Sequence, residues 1–242
     1  MALGRDTTFT WYGHSCVEVR TPGGLTMLID PWFSHPKSPR PPDQVDQCDV
    51  MIVTHSHFDH FGDALPIASR TRPVWPCIHE LSLWLGRNYA HKDGLIGMNK
   101  GGTVDARGVK VTFTHADHSA GDIYGSAEVP IYLGEPVGAV VEVENGFRFF
   151  HAGDTALFGD LRLIGELYRP EFALLPIGGH FTMGPREAAM AVELLGVRHV
   201  APLHYGTFPV LTGTPDELRT ALSQRGLGDV EVYSPEPGGT IV

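Results

Sequence analysis

The chain of 242 residues is 42% hydrophobic and 19% charged, which suits one soluble globular domain spanning 1–242 and excludes a disordered or fibrous protein. No apolar run approaches the ~18 residues of a membrane span, and a formal net charge of -10 disfavours nucleic acid as a partner. Cys16, Cys48 and Cys77 are widely spaced with no CxxC, and residues 1–6 lack the apolar stretch of a signal peptide, so reduced thiols and a cytoplasmic location are expected.

The first elements read as strands. Residues 8–12 and 16–20 are followed by a Pro22-Gly23-Gly24 turn and a return over 25–29, which leaves Asp30 at a strand end. Pro36, Pro39, Pro41 and Pro42 make 34–47 an irregular surface crossing. Val50-Met51-Ile52-Val53 reads as a buried strand. Helices are expected over 63–70, with Pro66 tolerated in the first turn, and over 80–87, with Leu81, Trp84 and Leu85 on one face; a short strand at 74–75 lies between them. Residues 109–114 alternate as a strand, and 119–136, with Ile123, Tyr124, Pro130 and Tyr132, form a long segment that suits a lid or a packed loop.

Strands over 137–144 and 147–151 flank Asn145-Gly146, which predicts a type I′ hairpin turn with positive φ at both residues. A helix over 160–169 places Leu161, Ile164, Leu167 and Tyr168 on one stripe and stops at Pro170, and 172–176 is a buried strand. Pro185 opens a helix that ends at Gly196. Thr214-Pro215-Asp216-Glu217 is a capping box for a helix that stops at Gly226, and 230–233 is a last strand. Strands then helices, occurring twice, fit an α/β protein with two sheets packed face to face and helices outside.

The compositional anomaly is 13 histidines. Four ligand-type residues fall within Thr54-His55-Ser56-His57-Phe58-Asp59-His60, where the strand at 50–53 stops. In an extended segment residues i and i+2 face the same way, so His55 and His57 can aim at one ion, and Asp59 and His60, past the bend, at a second. Neutral imidazoles suit zinc and other late first-row ions, and a carboxylate completes such a site. Further candidates also follow strand ends, after Thr114, Phe150 and Val200, and in a layered sheet protein such ends gather on one edge.

HxHxDH after a hydrophobic strand resembles the metallo-β-lactamase-fold hydrolases. Leu28-Ile29-Asp30-Pro31, Ala116-Asp117-His118-Ser119-Ala120-Gly121, His151-Ala152-Gly153-Asp154-Thr155 and Pro202-Leu203-His204-Tyr205-Gly206-Thr207-Phe208 stand in the order that family has, so the resemblance covers nearly the whole chain. The last motif, with Thr10-Trp11-Tyr12-Gly13-His14-Ser15, is most similar to the branch of uncharacterised metal-dependent hydrolases, L-ascorbate-6-phosphate lactonase and N-acyl-phosphatidylethanolamine phospholipase D. The resemblance implies a four-layer αββα sandwich and two divalent metal ions, Zn2+ before Mn2+, Ni2+ or Fe2+. One ion takes His55, His57 and His118, the other Asp59, His60 and His204, and Asp154 bridges both. His115 competes with His118 for its position, and His118 sits where this fold places its ligand.

The implied reaction is hydrolysis of a small-molecule phosphodiester, lactone or related ester by a metal-bridging hydroxide, since metal binding lowers the pKa of water to about 7. Asp59 orients the nucleophile. His180 stands where the family commonly has an acid or amide, and is carried with Asp59 as a catalytic candidate; capping of the helix behind it is the alternative. His14, Asp30, His151 and Tyr205 are candidates for contacting substrate or for orienting a ligand imidazole through its other nitrogen; for His151 a buried hydrogen-bonding role is the stronger expectation. Two other functions compete: a di-iron redox protein, against which His57 replaces the usual glutamate and no flavin domain is present, and a catalytically silent binding module, against which all seven ligand positions are filled. The oligomeric state, a homo-oligomer included, is open at this level.

Overall fold

In the computed structural model, which describes residues 3–122, 124 and 127–242, the chain opens with β1 (Thr8–Gly13), β2 (Cys16–Arg20), β3 (Thr26–Ile29) and β4 (Val50–Ile52). Then come α1 (Phe58–Phe61), α2 (Ala64–Thr71), β5 (Trp75–Ile78), α3 (His79–Asn88) and β6 (Leu95–Met98). The second half holds β7 (Thr103–Ala106), β8 (Val109–His115), β9 (Val137–Glu142), β10 (Arg148–His151), α4 (Leu161–Tyr168) and β11 (Phe172–Pro176). It closes with α5 (Pro185–Leu195), β12 (His199–Leu203), α6 (Pro215–Gln224), β13 (Glu231–Val232) and β14 (Thr240–Ile241).

These strands form a five-stranded sheet, β14-β1-β2-β3-β4, a seven-stranded sheet, β13-β12-β11-β10-β9-β8-β7, and a parallel pair, β5-β6. Side-chain alternation then sorts the seven-stranded sheet into two faces. Ala139, Val141, Phe149, Phe172, Leu174 and Ala201 point into a core shared with Phe9, Val17, Met27 and Ile29 of the other sheet. Their sequence neighbours Val140, Phe150, Ala173, Leu175 and Val200 point the opposite way, onto Leu161, Ala188, Val192, Leu195 and Leu218 of α4, α5 and α6. Phe9 joins the sheets, its ring edge-on at 4.9 Å to both Phe149 and Phe172. β3 and β4 are buried at every residue, as strands covered on both faces must be, and Ile67 and Ala68 of α2 with Leu81 and Leu85 of α3 extend that core. The four-layer αββα sandwich is thus the observed fold.

Strand direction decides where the candidate residues meet. β10, β11 and β12 run parallel, and β8 shares their direction because β9 is antiparallel to both β8 and β10. Their carboxyl ends therefore open on one edge, the place where layered α/β sheets collect ligands. β3 and β4 are parallel in the facing sheet and deliver Asp30 and the 54–60 motif.

Several local expectations need correction. The Asn145-Gly146 turn has positive φ only at Gly146 (81°), with Gly146 N–H donating to Val143 O and Val143 N–H to Phe147 O. That is a type I turn closed by a glycine bulge, one residue longer than the two-residue type I′ loop. Leu167 is 70% exposed, off the stripe formed by Leu161 and Ile164, because six residues at about 3.6 per turn put it roughly 120° around the helix from Leu161. β6, β7 and β14 were not foreseen: the first two carry Gly97 and polar residues, and β14 is two residues long and pairs with β1 from the far end of the chain. Ile123 of the 119–136 segment lies outside the described residues.

The capping box at α6 is complete, with the Thr214 hydroxyl accepting from Glu217 N–H and the Glu217 carboxylate from Thr214 N–H. Thr214→Ala is expected to cost about 1 kcal/mol in urea unfolding; an unchanged midpoint and slope would show that the box carries no stability.

Candidate metal centre

Three of the predicted site residues, each just past a strand end, occupy a backbone conformation that L-residues seldom adopt. His14, Asp30 and His204 have φ of 52°, 48° and 53°, in the left-handed region that costs of order 1 kcal/mol or more for a residue with a Cβ. Each directly follows a strand, and hydrogen bonds hold the turns. Asp30 N–H donates to Ile52 O (3.0 Å), and His14 O accepts from both His204 N–H (2.9 Å) and the Trp11 indole (3.0 Å). Glycine is required at two approaches. A Cβ on Gly153 (φ 62°) would meet Thr54 Cβ at 2.8 Å, and one on Gly178 would overlap the His204 carbonyl. The tight turn before Asp154 and the seat of His204 thus depend on absent side chains.

Among the described residues, the ligand-type atoms that converge fall into three groups, each with its atoms within 4.8 Å of one another: His55, His57 and His118; His14, Asp59, His60 and His204; and His55, His60 and Asp154. His60 Nε2 lies 3.3 Å, His204 Nε2 3.0 Å and His118 Nε2 3.7 Å from Asp154 Oδ2. The first two of these nitrogens, although buried, make no hydrogen bond of acceptable geometry, and neither do Asp154 Oδ1, His14 Nδ1, His204 Nδ1 and Ser56 Oγ. Buried polar atoms are rarely left so. Three of them, His60 Nε2, His204 Nε2 and Asp154 Oδ1, meet at one carboxylate, an arrangement that a cation would satisfy.

Hydrogen bonds outside the cluster set the tautomers. Asp30 is fully buried; its Oδ1 accepts from Thr54 N–H (2.7 Å) and its Oδ2 from the Thr54 hydroxyl and His60 Nδ1, both at 2.8 Å. A carboxylate can only accept, so His60 carries its proton on Nδ1 and turns Nε2 toward Asp154. The Thr54 hydroxyl has one proton and gives it to Asp30, so at the 3.2 Å contact with His55 Nδ1 the imidazole is the donor. This leaves the lone pair of His55 Nε2 facing inward, 2.9 Å from His57 Nδ1. By the same logic His14 Nε2–H donates to Asp59 Oδ2 (3.0 Å).

Charge follows from these contacts. Burial pushes His14 down to about 4 and His55 well below the usual histidine value, so both are neutral; burial also lowers His57 and His118. Burial opposes charge at His60 and His204 as well, but there the Asp154 carboxylate outweighs it. His204 rises to about 9, and His60, with Asp30 added, lies well above its ordinary value. For Asp59 burial is overcome by the hydrogen bond from His14 and the nearness of the His204 imidazole, 3.8 Å away, and for Asp154 by the charges of His204 and His60, so both stay ionised.

The other candidates sort by placement. His115 ends β8 on the outer face with its ring 4.9 Å from Phe158, apart from all three groups. His151 is buried and accepts from Gly153 N–H, with Nε2 3.4 Å from Ser15 O. Tyr205 stacks on Trp11 at 5.1 Å and lines a neighbouring cavity with Lys37 and Arg219. His180, exposed at φ 58°, packs against Phe181 and is not among the described residues lining the cleft over the cluster. Of segment 119–136, Tyr124 is tied by its hydroxyl to Ser56 O, between His55 and His57, and Gly121 and Asp122 line the cleft.

That cleft holds about 570 Å³ over His57, Asp59, His118, Asp154 and His204, and besides Ser119, Gly121 and Asp122 its described lining is Phe58, Phe181, Phe208 and Val210. Sequence reasoning missed the aromatic wall. Phe58 and Phe208 lie inside the motifs, but nothing in their spacing tells a cleft-facing phenylalanine from a packed one.

Residues 26–205 match the family model described as "Beta-lactamase superfamily domain". A "UPF0173 metal-dependent hydrolase" of Rubrobacter xylanophilus is 48% identical over 236 residues, 96% of this chain and 95% of the relative. One of Roseiflexus castenholzii is 43% identical over 245 residues, covering 99% and 98%. Among solved structures, that of Igni18, "a novel metallo hydrolase" of Ignicoccus hospitalis, superposes with a TM-score of 0.85 at 37% identity over 97% of each chain. The chain therefore belongs to the metallo-β-lactamase superfamily, within its UPF0173 metal-dependent hydrolases.

Proposed function

We propose that this hydrolase binds two divalent cations, Zn2+ first among them, and cleaves a small-molecule phosphodiester, lactone or related ester. His55, His57 and His118 hold one ion, Asp59, His60 and His204 the other, and Asp154 is shared. The observation that carries the reading is the set of buried, unpartnered atoms, His60 Nε2, His204 Nε2 and Asp154 Oδ1, at the meeting point of the ligand groups. The donor set is imidazole and carboxylate without thiolate, which suits zinc and its neighbours and keeps a coordination position open for chemistry. When bound, such ions supply Lewis acidity and lower the pKa of water.

The chain's own residues do the rest. Asp30 presents one imidazole to each ion, His60 directly and His55 through Thr54. Asp59, ionised and steadied by His14, reaches the cleft with 13% of its side chain exposed and orients water as a hydrogen-bond acceptor. His180 has no place in this reading beyond contact with a bound substrate's outer part, because Phe181 stands on the cleft and His180 does not. No helix among the described residues is long and apolar enough to cross a membrane. Residues 1–242 are taken as one hydrolase domain acting in the cytoplasm without nucleic acid.

His57→Ala or Asp154→Ala should remove most bound metal and all chelator-sensitive turnover of bis(p-nitrophenyl) phosphate or an ester; full metal content and activity in either variant would refute the ligand set. Asp30→Asn keeps a residue that tolerates the left-handed backbone but weakens the accepting group, and should lower metal affinity 10–100-fold in chelator competition. Equal affinity would remove Asp30 from the account.

The pH behaviour has a definite sign. His204 is raised from its ordinary value to about 9 in the metal-free fold, so its stabilising contribution is fully present below about 6.5 and is lost as pH climbs through 9. The metal-free protein should therefore lose melting temperature across that window. Metal binding at pH 7.5 should release protons, because ligand histidines must be neutral. A flat melting profile together with no proton release would contradict the assignment of His204.

A further inference from the structure

The wall of the cleft bears on the kind of substrate, a question the ligand set leaves open. Phe58 and Phe181, each 54% exposed, are the exposed phenylalanines among the described residues, and both line this cleft; Val210, 43% exposed, lines it too. Phe208 completes the wall and is braced by Trp32, 5.8 Å away, which also supports Phe58 at 5.6 Å. Large apolar side chains held against solvent at one concave site mark a surface that a ligand covers. Charge adds a second, independent observation. No Lys or Arg occurs among the described lining residues, whereas Asp59, Asp122 and Asp154 do. The 119–136 segment on its border holds three acids and no Lys or Arg at all. The cations nearest the neighbouring cavity are spoken for: Lys37 Nζ donates to Gly206 O, and Arg219 is paired with Asp216 and Ser234.

We infer that the cleft takes a neutral carboxylic ester or lactone whose apolar acyl or aryl group lies against Phe58, Phe181, Phe208 and Val210. The inference rests on the hydrolytic reading above and narrows it. A phosphomonoester or sugar phosphate brings a dianion, and the described lining offers it no Lys or Arg beside the metal centre, only phenylalanine rings and Asp122. A neutral carbonyl presents one oxygen to the centre and its hydrocarbon to the wall. In the reaction, water's oxygen bonds to the acyl carbon and the acyl C–O bond breaks. The leaving oxygen takes one of water's protons, and the other passes to solvent as the acid ionises.

The test uses the metal-loaded protein with p-nitrophenyl acetate, butyrate and hexanoate, with phenyl phosphate as the dianionic control. A fully buried methylene is worth about 0.8 kcal/mol, roughly fourfold, so kcat/KM should rise at least tenfold from acetate to hexanoate. Phenyl phosphate should be turned over more slowly than any of the esters. Phe58→Ala and Phe181→Ala should each collapse the hexanoate-to-acetate ratio by about tenfold. As a readout apart from turnover, hexanoate should raise the melting temperature more than acetate does, and Phe181→Ala should abolish the difference. Chelator-sensitive hydrolysis with the same kcat/KM at every chain length, or a preference for phenyl phosphate, would overturn this inference and leave the hydrolase reading standing. No chelator-sensitive turnover of any ester or of bis(p-nitrophenyl) phosphate would overturn both.

Discussion

One fully buried carboxylate, Asp30, governs the orientation of the centre. It accepts from Thr54 N–H, from the Thr54 hydroxyl and from His60 Nδ1, and each bond is charge-assisted and therefore about twice as strong as a neutral one. Through the last two contacts it decides which nitrogen of His60 and which of His55 faces inward. His55 also groups with His57 and His118, His60 with His14, Asp59 and His204, and the two imidazoles meet in the third group with Asp154. A residue outside every group thus coordinates two of them. Its left-handed backbone is held between the ends of β3 and β4 by a main-chain bond to Ile52.

The second constraint is electrostatic. Burying Asp59 and Asp154 beside six imidazoles is costly unless charge is balanced. Without a cation the balance comes from protons on His60 and His204, whose affinities Asp154 raises. In the proposed ligand set those two histidines would hold metal, so protons and cations would compete for the same buried positions. The strained backbone at His14, Asp30 and His204 belongs to the same pattern, since strain persists where surrounding structure over-determines it. The two-sheet core does this: β10, β11 and β12 are anchored on both faces by Phe149 and Phe150, Leu174 and Leu175, Val200 and Ala201.

Much of this was legible in the sequence because ligands at strand ends leave a local signature. The apolar run 50–53 and the HxHxDH that follows predict both the strand and the bend after it, and β11, α5 and the α6 cap were readable from buried runs, Pro185 and Thr214. What escaped depends on pairing or parity. His115 and His118 are equal by residue type; the family resemblance alone favours His118, and the structure adds that His115, the last residue of β8, faces outward, toward Phe158. β14 exists through pairing with β1, more than two hundred residues earlier, for which two residues carry no pattern. The glycine bulge at Gly146 turned on a one-residue difference in loop length. The aromatic cleft wall left no trace, since periodicity reports a buried face and not a functional exposed one.

The central claim is that remote segments enclose a pair of cations about Asp154. Anomalous diffraction from crystals of the metal-loaded protein, collected on either side of the absorption edge, tests it most directly. Two peaks should flank Asp154, one within bonding distance of His55, His57 and His118 and the other of Asp59, His60 and His204. A loaded crystal with peaks elsewhere, or with none among these seven side chains, would contradict it.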